Sequence, residues 1–364
     1  MECFVRPLFK YYTRTELEQI SFENPSEEYR KKVLDCWDCI AKPLDGMGEF
    51  EKLTAQIGAI THTEEIDISK KAVIIMCADN GIVEEGISQS GQEVTLAVTR
   101  AMGKKQSSVC KMARRIGADT IPVDIGINTD QNIENVYDRK IRAGTRNFRK
   151  EPAMTEAETI RAIVTGMDIV QDCKKNGYQI LATGEMGIGN TTTSSAVAAA
   201  LLRCEAAQVT GRGAGLSAEG LCKKQRIIEE AIAGYDLYHA DALTILQTVG
   251  GLDIAGLVGV CIGGACYHVP IVLDGVISMT AALLAERICP GVKAYLLASH
   301  RGKEPAVYKL ERELGVEPVI NAGMALGEGT GAVMMFSLLD IALSIYQTKT
   351  TFADIRIEQY ERML

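Results

Sequence analysis

The chain has 364 residues, a formal net charge of −8 and 47% hydrophobic residues, which is enough for one large domain or two ordinary ones around a sizeable core. The acidic balance argues against nucleic acid as the main partner, and a charged fraction of 24% argues against a disordered chain. Many glycines (34) with only 5% aromatics suit an α/β enzyme with backbone-lined small-molecule sites better than an all-β or membrane protein.

The stretch from Met1 to Gln19 holds no long apolar run, so no secretory signal is expected and the chain reads as cytoplasmic. Its eleven cysteines then read as reduced thiols. Cys36-Trp37-Asp38-Cys39 is a lone C-x-x-C, and the four histidines lie far apart, so no metal site is expected. The first sixty residues read as helical. Asn24-Pro25-Ser26 breaks the chain, and Ser26-Glu27-Glu28 offers an N-cap with acids in the first turn. A turn at Lys42-Pro43-Leu44-Asp45-Gly46 precedes a short helix from Glu49 to Ile60.

From residue 70 the pattern becomes strand, loop, helix. Ala72-Val73-Ile74-Ile75-Met76-Cys77 is an unbroken apolar run of the kind buried on both faces of a parallel sheet. Further strands are expected at Thr120 to Ile125, Gln179 to Ala182, Val269 to Leu273 and Ala294 to Leu297, with helices between most of them. That alternation predicts a parallel sheet covered by helices. The apolar stretch Leu243 to Gly264 is the strongest membrane candidate, but Gln247, Asp253 and several glycines interrupt it, so no membrane partner is expected. The charged segment after Thr348 is expected to pack back on the N-terminal helices.

Ligands of open α/β sheets sit at the carboxyl ends of the strands. There the sequence places Asp79-Asn80-Gly81, a glycine-rich run from Gly184 to Thr193, Asp274-Gly275, and Ser299-His300. The run from Gly184 suits a phosphate, with Asn190 and the threonines at the start of a helix expected near Ser194. An ordinary capped turn reads the same way. The pattern is neither a P-loop nor a dinucleotide fingerprint. A second turn, Gly211 to Leu216, precedes a helix carrying Lys223 and Lys224. In Gly327-Glu328-Gly329-Thr330-Gly331 a carboxylate is held between glycines ahead of an apolar helix, Ala332 to Ile345. It reads either as a general base or as an acid that satisfies a helix dipole. Glu185, within the Gly184 run, carries the same two readings. No nucleophile elbow, H-E-x-x-H or paired acidic run for magnesium diphosphate is present. The expected chemistry needs an anion site and a carboxylate, without a metal or cofactor.

Eight collinear stretches between about Lys42 and Ile345 resemble the nicotinate-nucleotide–dimethylbenzimidazole phosphoribosyltransferases. They are Lys42-Pro43 through Gly48, Ala78 to Gly81, Gly144 to Asn147, Gly184 to Thr192, Val249 to Asp253, Leu273 to Gly275, Ser299-His300 and Leu326 to Gly331. The resemblance implies transfer of ribose 5-phosphate from nicotinate mononucleotide to an aromatic heterocyclic base. Glu328 would be the catalytic base and Glu185 its supporting acid. Gly187, Gly189, Asn190, Thr191, Lys224, Ser299 and Gly327 would meet the nucleotide, and Asp79, Ser90 and Met186 the acceptor. It also implies a Rossmann-like α/β domain of a parallel sheet flanked by helices over residues 66–346, a smaller helical domain from residues 1–65 and 347–364, and a homodimer. Departures from the pattern are Gly91 for a proline, Val98 for a glutamine, Gly302 for a serine and Ala325 for an arginine. The first two bear on which base is accepted, so adenine, another benzimidazole or a phenol stay open as acceptors. A noncatalytic nucleotide-binding protein is the remaining alternative.

Overall fold

The computed structural model describes residues 12–213 and 215–362. The first eleven residues of the expected N-terminal helical unit, Ala214 of the second glycine turn and the last two residues lie outside them. Three helices open the chain, α1 (Arg14–Glu18), α2 (Glu27–Cys39) and α3 (Glu49–Thr61). The Ser26 hydroxyl accepts the Tyr29 amide at 3.4 Å, so the break before α2 works as the expected N-cap. Then come β1 (Lys71–Ala78), α4 (Glu93–Gly103), α5 (Ser108–Arg115), β2 (Asp119–Gly126), β3 (Tyr137–Asp138), α6 (Glu156–Lys175) and β4 (Ile180–Met186). The helices α7 (Asn190–Leu202), α8 (Ala218–Gly234), α9 (Ala242–Val249) and α10 (Leu252–Cys266) separate β4 from β5 (Ile271–Leu273). The chain continues through α11 (Val276–Ile288), β6 (Leu296–Ala298), α12 (Val307–Leu314) and α13 (Thr330–Thr348).

The strands form one parallel sheet in the order β3-β2-β1-β4-β5-β6. All eight residues of β1 are buried, as its apolar run requires. Ala72, Ile74 and Met76 face a layer built from α6, α7, α10 and α11. Val73, Ile75 and Cys77 face the layer of α3, α5 and α13. The register pairs Met76 with Glu185 and Cys77 with Met186, so the two central strands end side by side.

Close backbone approach shapes the first layer. A Cβ at Gly259 of α10 would lie 1.8 Å from the Ile163 carbonyl oxygen of α6, and one at Gly166 would lie 2.1 Å from the Gly256 carbonyl oxygen. The stretch Leu243 to Gly264 is therefore two helices, parted at Gly250-Gly251, with α10 buried between α6 and the sheet. The described helix long and apolar enough to cross a bilayer is instead α13, and 56% of its most apolar stretch is buried inside the protein. It lies on the Val73 face of the sheet, where buried Lys71 of β1 pairs with Asp340. Its outward side leaves Met334, Ile341 and Ile345 exposed.

The C-terminal segment returns to the N-terminal helices as expected. The Ala41 amide donates to the Thr350 carbonyl at 2.9 Å, and Arg362 pairs with Asp38 and Asp45. Trp37 of α2 lies 5.1 Å from Tyr346 of α13, ring centre to ring centre.

Two expectations need correction, and one strand had no expectation. β4 runs on through Met186, so Glu185 is a strand residue and not a loop residue. The following helix starts at Asn190, well before Ser194, because Gly189 adopts φ +93° and ends the turn there. The two-residue strand β3 carries no periodic signal of its own, and only its pairing with β2 defines it.

Candidate active site

The connections from β1 and β4 leave in opposite directions across the sheet, which opens a crevice between their carboxyl ends. Asp79 and Asn80 follow β1, Glu185 and Met186 end β4 with Gly187 next, Asp274 follows β5, and Ser299-His300 follows β6.

One wall of the crevice suits an anion. Residues Gly187 to Thr191 face Arg212, Gly213 and Leu216 across about 400 Å³ of empty space, part of it open to solvent, with Ile87, Ser88 and Gln89 as a third side. Gly187 admits no side chain, since a Cβ would come 2.5 Å from the Ala78 carbonyl oxygen and 2.6 Å from Asp253 Oδ2. The start of α7 thus lies at the cleft and turns the positive end of its dipole there, while the Asn190, Thr192 and Thr193 amides bond to the Gly187 and Gly189 carbonyls. Lys224 of α8 lies wholly buried behind this wall. Its Nζ donates to Thr191 Oγ1 at 2.9 Å and to the Gly211 carbonyl at 3.3 Å. Burial pushes its amino group down to about 8, with Glu304 pulling the other way.

Behind the cleft lies a set of buried acids. The Asn190 side-chain amide donates to Glu185. Burial first, then the charges of Asp274 and Asp253, push Glu185 up to about 8, opposed by Asn190 and by the backbone amide of Glu328. Asp253 is raised to about 6 by burial, although the Ile254 amide and the Asn80 and Asn190 side chains favour its charge. Burial also raises Asp274, against the pull of His300. Asp79 is raised by burial too. Its Oδ2 accepts the Asn128 amide at 2.8 Å, while Oδ1 finds no partner among the described residues.

The segment before α13 brings the second glutamate to the same place. Gly327, Glu328 and Gly329 have φ of +82°, +61° and +91°. A Cβ at Gly184 would come 2.6 Å from the Glu328 carbonyl oxygen, and one at Gly327 would come 2.6 Å from Glu185 Oε1. Glu328 is half-buried, and its Oε2 accepts the Val109 amide at 3.2 Å in the first turn of α5. It does act as a helix-terminal acid, but for α5 and not for the helix that it precedes.

The family model described as phosphoribosyltransferase matches residues 22–357. The nicotinate-nucleotide–dimethylbenzimidazole phosphoribosyltransferase of Acetivibrio thermocellus is 46% identical, over 93% of this chain and 96% of its own length. That of Clostridium acetobutylicum is 43% identical over 91% and 94%. The crystal structure of CobT from Thermus thermophilus matches with a TM-score of 0.86 at 31% identity, covering 92% of this chain and 100% of that one. The chain belongs to this family of phosphoribosyltransferases.

The structure gathers the residues marked in the enzyme's sequence into two neighbouring groups. Glu185, Glu328 and Gly327 form one, and Gly187, Gly189, Asn190, Thr191 and Lys224 the other. Asp79 and Met186 end the two central strands beside them. Ser299 is fully buried, its hydroxyl donating to the Leu273 carbonyl at 2.6 Å and lying 3.1 Å from His300 Nδ1, so it supports the site from behind. Ser90 lies past the cleft wall on the loop before α4, where its amide bonds to the Ser88 hydroxyl, and its neighbours Ser88 and Gln89 line the cleft. Sequence reasoning did not select Asp253, Asp274 or Asn80 as site residues. Their signal was an acid or amide directly after an apolar strand or at the glycine-marked start of an apolar helix.

The raised Glu185 has a measurable consequence for stability. Its native pKa lies above the ordinary glutamate value, so between about 4.5 and 8 the unfolded chain gives up a proton that the native enzyme keeps, and stability falls as pH rises through that window. Glu185→Gln removes the titration. Denaturant melts of the ligand-free enzyme should show the variant gaining stability over wild type as pH goes from 5 to 8. A difference that does not change with pH would show that Glu185 ionises normally.

Proposed function

We propose that the enzyme transfers ribose 5-phosphate from nicotinate mononucleotide to a nitrogen of a benzimidazole-type base, giving α-ribazole 5′-phosphate and nicotinate. The observation that carries this reading is the meeting of Glu328 and Glu185 beside an anion cleft at the strand switch point. The nucleotide phosphate sits at the N-terminus of α7 against Gly187, Gly189, Asn190 and Thr191, with the Lys224 charge beneath it. The C1′–nitrogen bond to the pyridinium ring breaks, its electron pair stays on the ring nitrogen, and nicotinate leaves neutral at that atom. A lone pair of the acceptor nitrogen closes the new bond to C1′. The acceptor's N–H proton passes to Glu328. Glu185, holding its own proton near neutral pH, adds no second negative charge behind the turn that carries Glu328. Buried acids around the crevice favour the positive charge that builds on the sugar. Asp79, just after β1, and Met186, at the end of β4, border the space for the acceptor.

The smaller helical domain is part of the same proposal, as residues 1–65 with 347–364, as is a cytoplasmic setting. So is a homodimer. The exposed side of α13, with Met334, Ile341 and Ile345 in register along one face, is an apolar surface of the kind that association covers. Sedimentation at micromolar concentration should give twice the chain mass, and a pure monomer would contradict it.

Incubation with nicotinate mononucleotide and a panel of benzimidazoles, adenine and phenol, read by chromatography, tests the reaction and the acceptor together. Two substitutions separate chemistry from binding. Glu328→Gln should cut turnover by roughly 10²-fold or more with the nucleotide KM nearly unchanged, the scale for losing a general base. Lys224→Ala should raise the nucleotide KM by about 10-fold while turnover of bound substrate changes little. Near-normal turnover in the first would move the base to Glu185 or a water. An unchanged KM in the second would take Lys224 out of the phosphate site.

A further inference from the structure

We propose that Asp274 is a positioning residue for Glu328, its buried carboxylate holding the Gly327-Glu328-Gly329 turn in the conformation that aims the glutamate. The inference rests on Glu328 being the base. Three consecutive residues of this turn lie in the left-handed region, and the middle one is not a glycine. The helix that follows has no cap of its own, because Gly329 at its N-cap carries no side chain. Asp274 supplies that cap from another part of the chain. Its Oδ2 accepts the Gly329 amide at 3.1 Å, and its Oδ1 accepts the Gly331 and Ala332 amides at 2.8 and 3.3 Å.

The anchor is itself held by two neighbours. The Asp274 amide donates to Thr183 Oγ1 at 3.1 Å, next to Gly184, whose missing side chain makes room for the Glu328 carbonyl. His300 Nδ1 lies 3.7 Å from Asp274 Oδ1, with the Ser299 hydroxyl 3.1 Å behind it. Gly331 lets His300 in, since a Cβ there would come 1.9 Å from His300 Nδ1. Asp274 is only 1% exposed, too enclosed to meet substrate, so it acts through the turn. Both of its oxygens are in use. Asn at this position would aim an NH₂ at an amide that now finds an acceptor.

The test is a double-substitution cycle between Asp274→Asn and Glu328→Gln, with melting temperature as the fold control. Asp274→Asn should lower kcat by about 10- to 100-fold with the nucleotide KM within about threefold, the pattern for a lost transition-state contact. Added to Glu328→Gln, it should cost no more than about a further twofold, because there is no longer a base to aim. Multiplicative losses in the double variant would overturn the proposal, since an effect exerted through Glu185 or through general loosening persists without Glu328. So would a raised KM with kcat kept. If Glu328→Gln alone left kcat intact, the base assignment itself would fail, and that result is distinct from the other two. Should Asp274→Asn not fold, the cycle is run with His300→Gln, which leaves the amides their acceptor and removes its imidazole partner. A smaller kcat loss, again absorbed by Glu328→Gln, is expected, and multiplicative losses again overturn the proposal.

Discussion

The site depends on backbone meeting backbone at the end of β4. Gly184 lies against the carbonyl of Glu328, and Gly327 lies against the carboxylate of Glu185, both closer than any side chain allows. This contact brings together two glutamates from distant parts of the chain. It places them in unlike surroundings. Glu185 is on a central strand, enclosed, and tied to Asn190. Glu328 is on a turn, half-buried, and tied to the first turn of α5. Two carboxyl groups with different solvation can take different roles in one reaction, one keeping its proton and the other receiving one.

Around the same crevice buried acids outnumber buried basic groups. Glu185, Asp253 and Asp274 converge, and the His300 imidazole lies beside Asp274. Water cannot compensate these acids at such depth, so they keep protons, borrow backbone amides, or await a cation. On the proposed reaction the cation arrives with the donor's pyridinium ring and moves through the sugar to the new base. In the same proposal the phosphate binds on the other side of α7's first turn, where Lys224 and the helix dipole supply the opposite sign. Asn190 touches both regions, because it opens the helix at the anion cleft while its side chain holds Glu185.

Much of this was legible in the sequence. The apolar run before Asp79 and the glycine run after residue 183 marked the crevice, because burial on both faces and close backbone approach each leave a compositional trace. Glu328 stood out because glycines enclosed it. The sequence was silent where geometry depends on distant partners. Nothing local shows that Glu185 ends a strand, that Asn190 starts a helix, or that the acid capping α13 comes from Asp274 after β5. Lys224 was legible as a cation near a glycine turn, but its complete burial follows from the packing of α8. In the apolar stretch Leu243 to Gly264 glycine serves two purposes. Gly250-Gly251 breaks the helix, while Gly259 and Gly263 allow α10 to touch α6.

The central claim is that Glu185 is a proton-holding acid in the empty site and responds to a bound cation. Carbon-13 NMR titration of the Glu185 side-chain carboxyl, assigned by comparison with Glu185→Gln, measures this directly. The account predicts a midpoint near the value of about 8 set by burial and by Asp274 and Asp253. Nicotinate mononucleotide should move it downward, since a nearby positive ring favours the carboxylate. A midpoint at the ordinary glutamate value of about 4.3, unmoved by the nucleotide, would contradict it.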